Sequence, residues 1–250
     1  MDAKLPIVLL HGVGLDSTMW DQFRDEVRRA SDREVLALDL PGHGSRPPLE
    51  REVSLGDLAD DVANRLPARA HLVGFSLGAL IAQHLARFHP ERAATLTSVS
   101  SVCLRTLQEA ESVDARLQNA ATDFSGSVEA SIERWFPADA GTDPATVAGV
   151  RRTLLANDPS SYLHAYRVFA TADAEIGAEL GTIAVPSLAV TGDQDPGSTP
   201  EMTRRLGEAI PGARTAVVPN TRHMLPVQRP AELARIIIEF IEESSRDIHD

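Results

Sequence analysis

The sequence predicts an α/β fold: a mostly parallel β-sheet flanked by helices and interrupted by one helical insertion. Three observations carry this. Short apolar runs are bounded by turn residues, amphipathic segments of helical periodicity alternate with them, and residues 103–181 hold helical patterns without a clear strand. Regular β–α alternation calls for parallel strands, because each crossover returns the chain to the same end of the sheet. Parallel strands are covered on both faces, so their sequences are apolar throughout and do not alternate.

The strand-like runs are LPIVLL (5–10), EVLALD (34–39), AHLVGF (70–75), ATLTSVS (94–100), PSLAVTG (186–192) and ARTAVVP (213–219). Helical patterns cover 17–30, 54–66, 77–89, 200–210 and 230–243. Thr199 before Pro200 is the pair expected at an N-cap and first helical position, and Ser54 opens a second helix in the same way. Residues 1–102 and 182–250 are therefore expected to form the core, with 103–181 inserted between two of its strands. The insertion is punctuated by Pro137, Pro144 and Pro159. It carries Phe124, Trp135, Phe136, Tyr162, Tyr166 and Phe169, six of the chain's eleven aromatic residues. Such enrichment makes it the candidate roof of an apolar pocket. Tyr162, Tyr166 and Phe169 share one helix face. That face either packs the insertion onto the sheet or lines the pocket, and the spacing allows both.

Composition narrows the function. At 250 residues and 43% hydrophobic content the chain can bury a sizeable core. A formal net charge of −12 disfavours nucleic acid and anionic membranes as partners. Cys103 is the single cysteine, and no Cys/His set has zinc spacing, so neither an internal disulfide nor a metal or other cofactor is expected. The start, MDAKLPIVLLHG, lacks a basic region and a long apolar run, and no stretch reaches membrane-spanning length. A cytoplasmic protein acting on a small molecule is the expectation; the oligomeric state is open.

The chemistry centres on Gly74-Phe75-Ser76-Leu77-Gly78, a G-x-S-x-G pentapeptide between a predicted strand and a predicted helix. There the chain reverses within a few residues. Side chains two positions either side of the serine would strike neighbouring backbone, so both must be small. The turn exposes the serine Oγ at the carboxyl end of the strand, over a helix N-terminus that favours developing negative charge. A serine hydroxyl needs a base. His223 lies after the last predicted strand, on a loop at the same edge. The base needs an acid to fix its tautomer, and LAVTGDQDPGSTP offers Asp195, with Asp193 in reserve. The glycines of LLHGVGLD (9–16) let backbone approach a ligand, so the N–H groups of Val13 and Leu77 are the expected oxyanion donors. Taken singly, a loop histidine, an Asp after a strand or a Gly-Ser turn is commonplace. Three residue types at three strand ends, in a fixed order and with a matching donor loop, are not. His43 in DLPGHGS reads as a turn residue, structural or at the pocket rim, and Trp20 as core.

HGVG (11–14), DLPGHGS (39–45), GFSLG (74–78), TGDQD (191–195) and RHMLPVQRPAEL (222–233) together resemble the α/β-hydrolase superfamily. The resemblance implies Ser76 as nucleophile, Asp195 as acid, His223 as base and a lid at 103–181. ERWFP (133–137) and NDPSSYLHAYRVFATAD (157–173) resemble the 3-oxoadipate enol-lactonase group. The superfamily usually has two strands before the one ending in HG. This chain has no sequence for them, which implies a sheet trimmed to six strands, edged by 34–39 and 213–219.

The activity implied is hydrolysis of a small carboxylic ester or lactone through an acyl-enzyme. The same triad could instead serve C–C bond hydrolysis, lyase, perhydrolase or acyl-transfer chemistry, or the scaffold could bind a ligand without turnover. Trp135, Tyr162 and Tyr166 are candidate substrate contacts. A substrate carboxylate, if the enol-lactonase resemblance extends so far, would need a cation in an insertion with six Arg against twelve Asp plus Glu. Arg134 is the candidate; alternatively it is a solvated helix arginine paired with Glu133 or Glu129.

Overall fold

A computed structural model describes residues 4–138 and 140–246. The chain runs β1 (Ile7–Leu10), α1 (Asp21–Ala30), β2 (Val35–Leu38), α2 (Leu55–Ala63), β3 (Ala70–Phe75), α3 (Leu77–Phe88) and β4 (Ala93–Val99). Four helices follow: α4 (Leu107–Thr122), α5 (Phe124–Trp135), α6 (Pro144–Leu155) and α7 (Pro159–Gly177). The chain closes with β5 (Ser187–Gly192), α8 (Pro200–Ala209), β6 (Arg214–Val218), α9 (Leu225–Gln228) and α10 (Pro230–Arg246).

The sheet has six strands in the order β2-β1-β3-β4-β5-β6, and every pairing is parallel. Its edges are the two expected strands. β3, which ends beside Ser76, is interior and entirely buried. Strand side chains alternate between two cores. Val8, Leu10 and Leu72 join Leu58, Leu80 and Leu85 of α2 and α3 on one face. Ile7, Leu9, Val73 and Phe75 join Phe23 of α1 and Ile237 and Ile241 of α10 on the other. Full burial of each such aliphatic side chain contributes roughly 1.5–3 kcal/mol before entropy is set against it.

Helix starts follow their sequence signals. Thr199 caps α8 ahead of Pro200, and Ser54 forms a capping box with Asp57 on α2. Asp143 and Asp158 cap α6 and α7, each ahead of a proline at the first helical position. The helix predicted over 17–30 is two elements, a 3-10 turn (Ser17–Trp20) and α1. Asp16 caps that turn through its side chain, and α1 follows it directly, with Trp20 and Asp21 both in right-handed helical backbone. The four-residue α9 was not expected from the sequence; it is too short to show a period.

The insertion leaves the sheet after β4 and returns to β5, its direct neighbour. α7 serves both purposes left open by its spacing. Ala165, Val168, Ala172 and Ile176 pack into the core under α3, whereas Tyr162 and Tyr166 cluster with Val113 and Ala120 of α4. A buried ion pair joins the two ends of the insertion. Arg105 binds Asp173 and donates to the carbonyls of Phe169 and Ala170, and its own backbone N–H donates to Asp173 Oδ2 at 3.0 Å.

Candidate active site

The turn from β3 into α3 places Ser76 at φ 54°, ψ −113°, a strained backbone for a non-glycine residue. Its N–H donates to the Val99 carbonyl at 3.0 Å, extending the β3–β4 ladder one residue past the strand. A Cβ on Gly74 would lie 2.1 Å from the Gly78 carbonyl oxygen, and one on Gly78 would lie 2.4 Å from that of Leu10. Both glycines are therefore steric requirements of the turn.

Asp195 and His223 follow β5 and β6. Asp195 Oδ2 accepts from His223 Nδ1 at 2.8 Å, which fixes the proton on Nδ1 and leaves the Nε2 lone pair free. The other oxygen, Oδ1, accepts from the N–H groups of Gly197 and Ser198, both at 2.9 Å. The Asp195 side chain is fully buried. Asp193 lies outside this relay. Its Oδ1 accepts from the Thr221 N–H at 3.1 Å and pins the loop that carries His223. Gly192 lets that loop approach, since a Cβ there would lie 2.1 Å from the Thr221 carbonyl oxygen. Ser100, which sequence reasoning did not single out, donates its hydroxyl to the His223 carbonyl at 3.1 Å and sits at φ 46°.

Ser76 and His223 line one cavity of about 50 Å³. No hydrogen bond joins their side chains among the described residues. In ligand-free enzymes that contact commonly tightens only when substrate binds. Gly12 and Val13 of the loop after β1 line the cavity from below. Gly12 passes so close that a Cβ on it would lie 3.2 Å from Ser76 Cβ. Leu77 buries its side chain in the core, and its N–H opens α3, where the helix supplies no acceptor. Among the described residues, neither Val13 N–H nor Leu77 N–H is donated elsewhere.

The loop carrying Val13 is anchored by a buried histidine. His11 Nε2 accepts from the Leu40 N–H at 2.9 Å, so its Nδ1–H donates to the Gly12 carbonyl at 2.8 Å. Burial, then the neighbouring His43, push its pKa down to about 3 and hold the ring neutral. His43 packs edge-on against His11, buried and away from the cavity, a structural residue. Trp20 is likewise core.

The insertion supplies the opposite wall: Trp135, Tyr162, Tyr166 and Phe169, with Arg116 and Arg134. Trp135 stacks on His223, ring centroids 5.4 Å apart. Tyr162 packs an edge against Phe124, and burial, then Tyr166, raise its phenol pKa, so it stays protonated. Arg134 pairs with neither Glu133 nor Glu129; Glu129 binds Arg151 instead, at 3.0 Å. Arg134 turns inward, donating to Ser131 Oγ at 3.0 Å. Arg116 was not foreseen, because only the fold brings α4 over the strand ends.

Comparison with known proteins places this geometry among relatives. A family model described as the alpha/beta hydrolase family matches residues 7–236. A pimeloyl-[acyl-carrier protein] methyl ester esterase of Aeromonas hydrophila is 31% identical over 242 residues, spanning 94% of each chain. The (E)-2-((N-methylformamido)methylene)succinate hydrolase of Acinetobacter baylyi is 28% identical over 243 residues, 95% of this chain and 90% of that one. Among solved structures, the enol-lactonase of Burkholderia xenovorans superposes with a TM-score of 0.85 at 26% identity, covering 96% of this chain and 92% of its own. No helix among the described residues is long and apolar enough to cross a membrane.

Proposed function

The chain belongs to the alpha/beta hydrolase family, and from that premise we propose that it cleaves a small carboxylic ester or lactone through an acyl-enzyme on Ser76. Ser76 Oγ attacks the carbonyl carbon while His223 Nε2 takes the hydroxyl proton. The N–H groups of Val13 and Leu77 hold the resulting oxyanion, and Asp195 supports the imidazolium. Collapse of the tetrahedral intermediate breaks the ester bond, and His223 returns the proton to the leaving alkoxide. Water, deprotonated by the same ring, then attacks the acyl-enzyme, and a second collapse releases the acid and the free serine. Trp135, Tyr162 and Tyr166 form the apolar wall against which the substrate lies, and residues 103–181 act as a cap on the core of 1–102 and 182–250.

The observation that carries this reading is the 2.8 Å hydrogen bond from His223 Nδ1 to Asp195, on a ring that shares the Ser76 cavity. Relatives named as a methyl ester esterase and an enol-lactonase support the substrate class. The test is covalent labelling with a fluorophosphonate probe alongside hydrolysis of short p-nitrophenyl esters. Labelling at Ser76, with labelling and turnover both abolished in a folded Ser76→Ala variant, is expected. Full turnover by that variant would overturn the proposal.

A further inference from the structure

We infer that Asn157, at the joint between α6 and α7, is a positioning residue for catalysis: it grips the Gly14 carbonyl and so fixes the turn that carries the Val13 N–H. The inference rests on the hydrolase reading, in which that N–H holds the oxyanion.

The turn runs from Gly12 to Leu15. Leu15 N–H donates to the Gly12 carbonyl at 3.3 Å, and Gly14 stands in the third position at φ 72°, a conformation that favours glycine. The near end of the turn is held by the core. Gly78 N–H donates to the His11 carbonyl at 3.1 Å, and His11 Nδ1 donates to that of Gly12 at 2.8 Å. The far end is held by the insertion. Asn157 Nδ2 donates to the Gly14 carbonyl at 2.8 Å, and among the described residues that carbonyl has no other hydrogen bond. Val13 lies between the two anchorages, so the direction of its N–H depends on both.

The amide is itself held in place. Nδ2 also donates to the carbonyls of Thr153 and Leu154, each at 3.0 Å. These belong to the last turn of α6, where the helix supplies no donor. Three carbonyl oxygens surround the group, and only the nitrogen of the amide can face them, so the side chain has one orientation. The joint is tied to the core a few residues further on. Ser161 is fully buried; its hydroxyl donates to the Gly42 carbonyl at 3.2 Å and accepts from the Leu49 N–H at 2.9 Å. Tyr162 and Leu154 also close on the turn, since a Cβ on Gly14 would lie 2.6 Å and 2.8 Å from their side chains. Asn157 does not line the Ser76 cavity, so it acts through the turn and not on the substrate.

The experiment measures hydrolysis of p-nitrophenyl acetate and inhibition by 1,1,1-trifluoro-2-butanone. Ser76 Oγ adds to the ketone carbon, its proton passes to His223, and the ketone oxygen becomes an oxyanion where that of the intermediate would form. Loss of an oxyanion donor costs on the order of 10²- to 10³-fold in kcat, and misdirecting one costs part of that. Asn157→Asp keeps the shape and sets an acceptor against three carbonyls. Its kcat should fall about 10- to 100-fold, ketone affinity should fall by the same factor, and KM should stay within about twofold. In Asn157→Ala, water can replace the amide at this half-buried place, and both losses should be about 3- to 10-fold. Asn157→Gln keeps the donor and should lie between Ala and wild type. A purely structural role would instead lower the urea midpoint and raise KM, with kcat and ketone affinity unmoved. That result, or kcat and ketone affinity changing independently, overturns the inference. Should the Asp variant not fold, the Ala and Gln variants carry the same comparison. Hydrogen exchange at the Leu15 amide reads the turn without turnover and should be about 3- to 10-fold faster in Asn157→Ala. An unchanged rate overturns the hold on the turn. A faster rate in a protein whose wild type neither cleaves the ester nor binds the ketone would mean that the hydrolase reading fails and only the grip on the turn stands.

Discussion

The indole of Trp135 lies over the imidazole of His223, centroids 5.4 Å apart and planes inclined by 30°. Phe75 flanks the same ring at 5.0 Å. The imidazole is thus held by an aromatic surface as well as by Asp195, and the stacking residue comes from the insertion, so the wall opposite Ser76 also positions the ring proposed as base. Aromatic pairs of this kind contribute about 0.5–1.5 kcal/mol beyond burial. Trp135→Ala should therefore lower kcat by about 2- to 10-fold even on a substrate too small to reach the indole. Trp135→Phe should restore most of it. Steady-state kinetics on a short acetate ester checks this.

The two carboxylates after β5 should separate cleanly. Asp195→Asn keeps the shape but puts an amide where the ring needs an acceptor, so kcat should fall on the order of 10³- to 10⁴-fold. Asp193→Asn retains an oxygen for the Thr221 N–H and should cost less than about tenfold. Equal losses in the two variants would contradict the assignment of roles.

Ser100→Ala removes the hydroxyl donated to the His223 carbonyl. That carbonyl also accepts from the Leu225 N–H at 2.8 Å, so no acceptor is orphaned. Stability should drop by only about 0.5–1.5 kcal/mol. kcat should fall while KM holds, because the loss lies behind the base and away from the substrate wall. Urea unfolding and kinetics on the same preparation check both halves.

Gly78→Ala should be far worse than its single methyl suggests. The added carbon would stand 2.4 Å from the Leu10 carbonyl oxygen, on backbone that a neighbouring strand holds in place. A cost of several kcal/mol, about 3 or more, is expected, with loss of turnover. A melting temperature within a few degrees of wild type would show that the turn can relax.

Acid should destabilise the fold well before its carboxylates titrate. Burial, then the partner His43, lower the His11 pKa from 6.5 to about 3. Burial, then Arg33, lower that of His71 to about 4. Both histidines are neutral when folded and free to charge when unfolded. Above pH 6.5 the two states bind protons alike; as pH falls below it the unfolded chain binds more and stability declines. Each group contributes a slope of about 1.4 kcal/mol per pH unit until its folded pKa is reached. His71 accepts from Arg33 and meets Thr95 Oγ1 at 3.0 Å, contacts a glutamine amide can imitate. His71→Gln should therefore flatten the profile between pH 6.5 and 4 by about that slope. An unchanged profile in urea unfolding at pH 7, 6 and 5 would refute the assignment.

Much of this was legible in the chain because the causes are local. Apolar runs become strands, and the glycines at 74 and 78 report the turn that only they permit. The order Ser76, Asp195, His223 reflects three strand ends on one edge. What was not legible depends on contacts between distant segments. Asp193 and Asp195 both follow β5, and only the path of the 220–223 loop shows which one meets the imidazole. Arg134 donates to Ser131 while Glu129 holds Arg151, a contact twenty-two residues apart in sequence. Ser100 has no signature, since a serine at positive φ is spelled like any other serine.

The exit and return of the insertion at adjacent strands has a practical meaning. Because β4 and β5 are hydrogen-bonded to each other, the excursion's ends are already held together by the sheet, whatever the length of chain between them. Selection, or an engineer, can therefore rewrite the cavity's ceiling while leaving the catalytic floor untouched, provided an aromatic plate is kept over the imidazole and an amide against the Gly14 carbonyl. Substrate choice and foldability become separately adjustable properties in such a molecule.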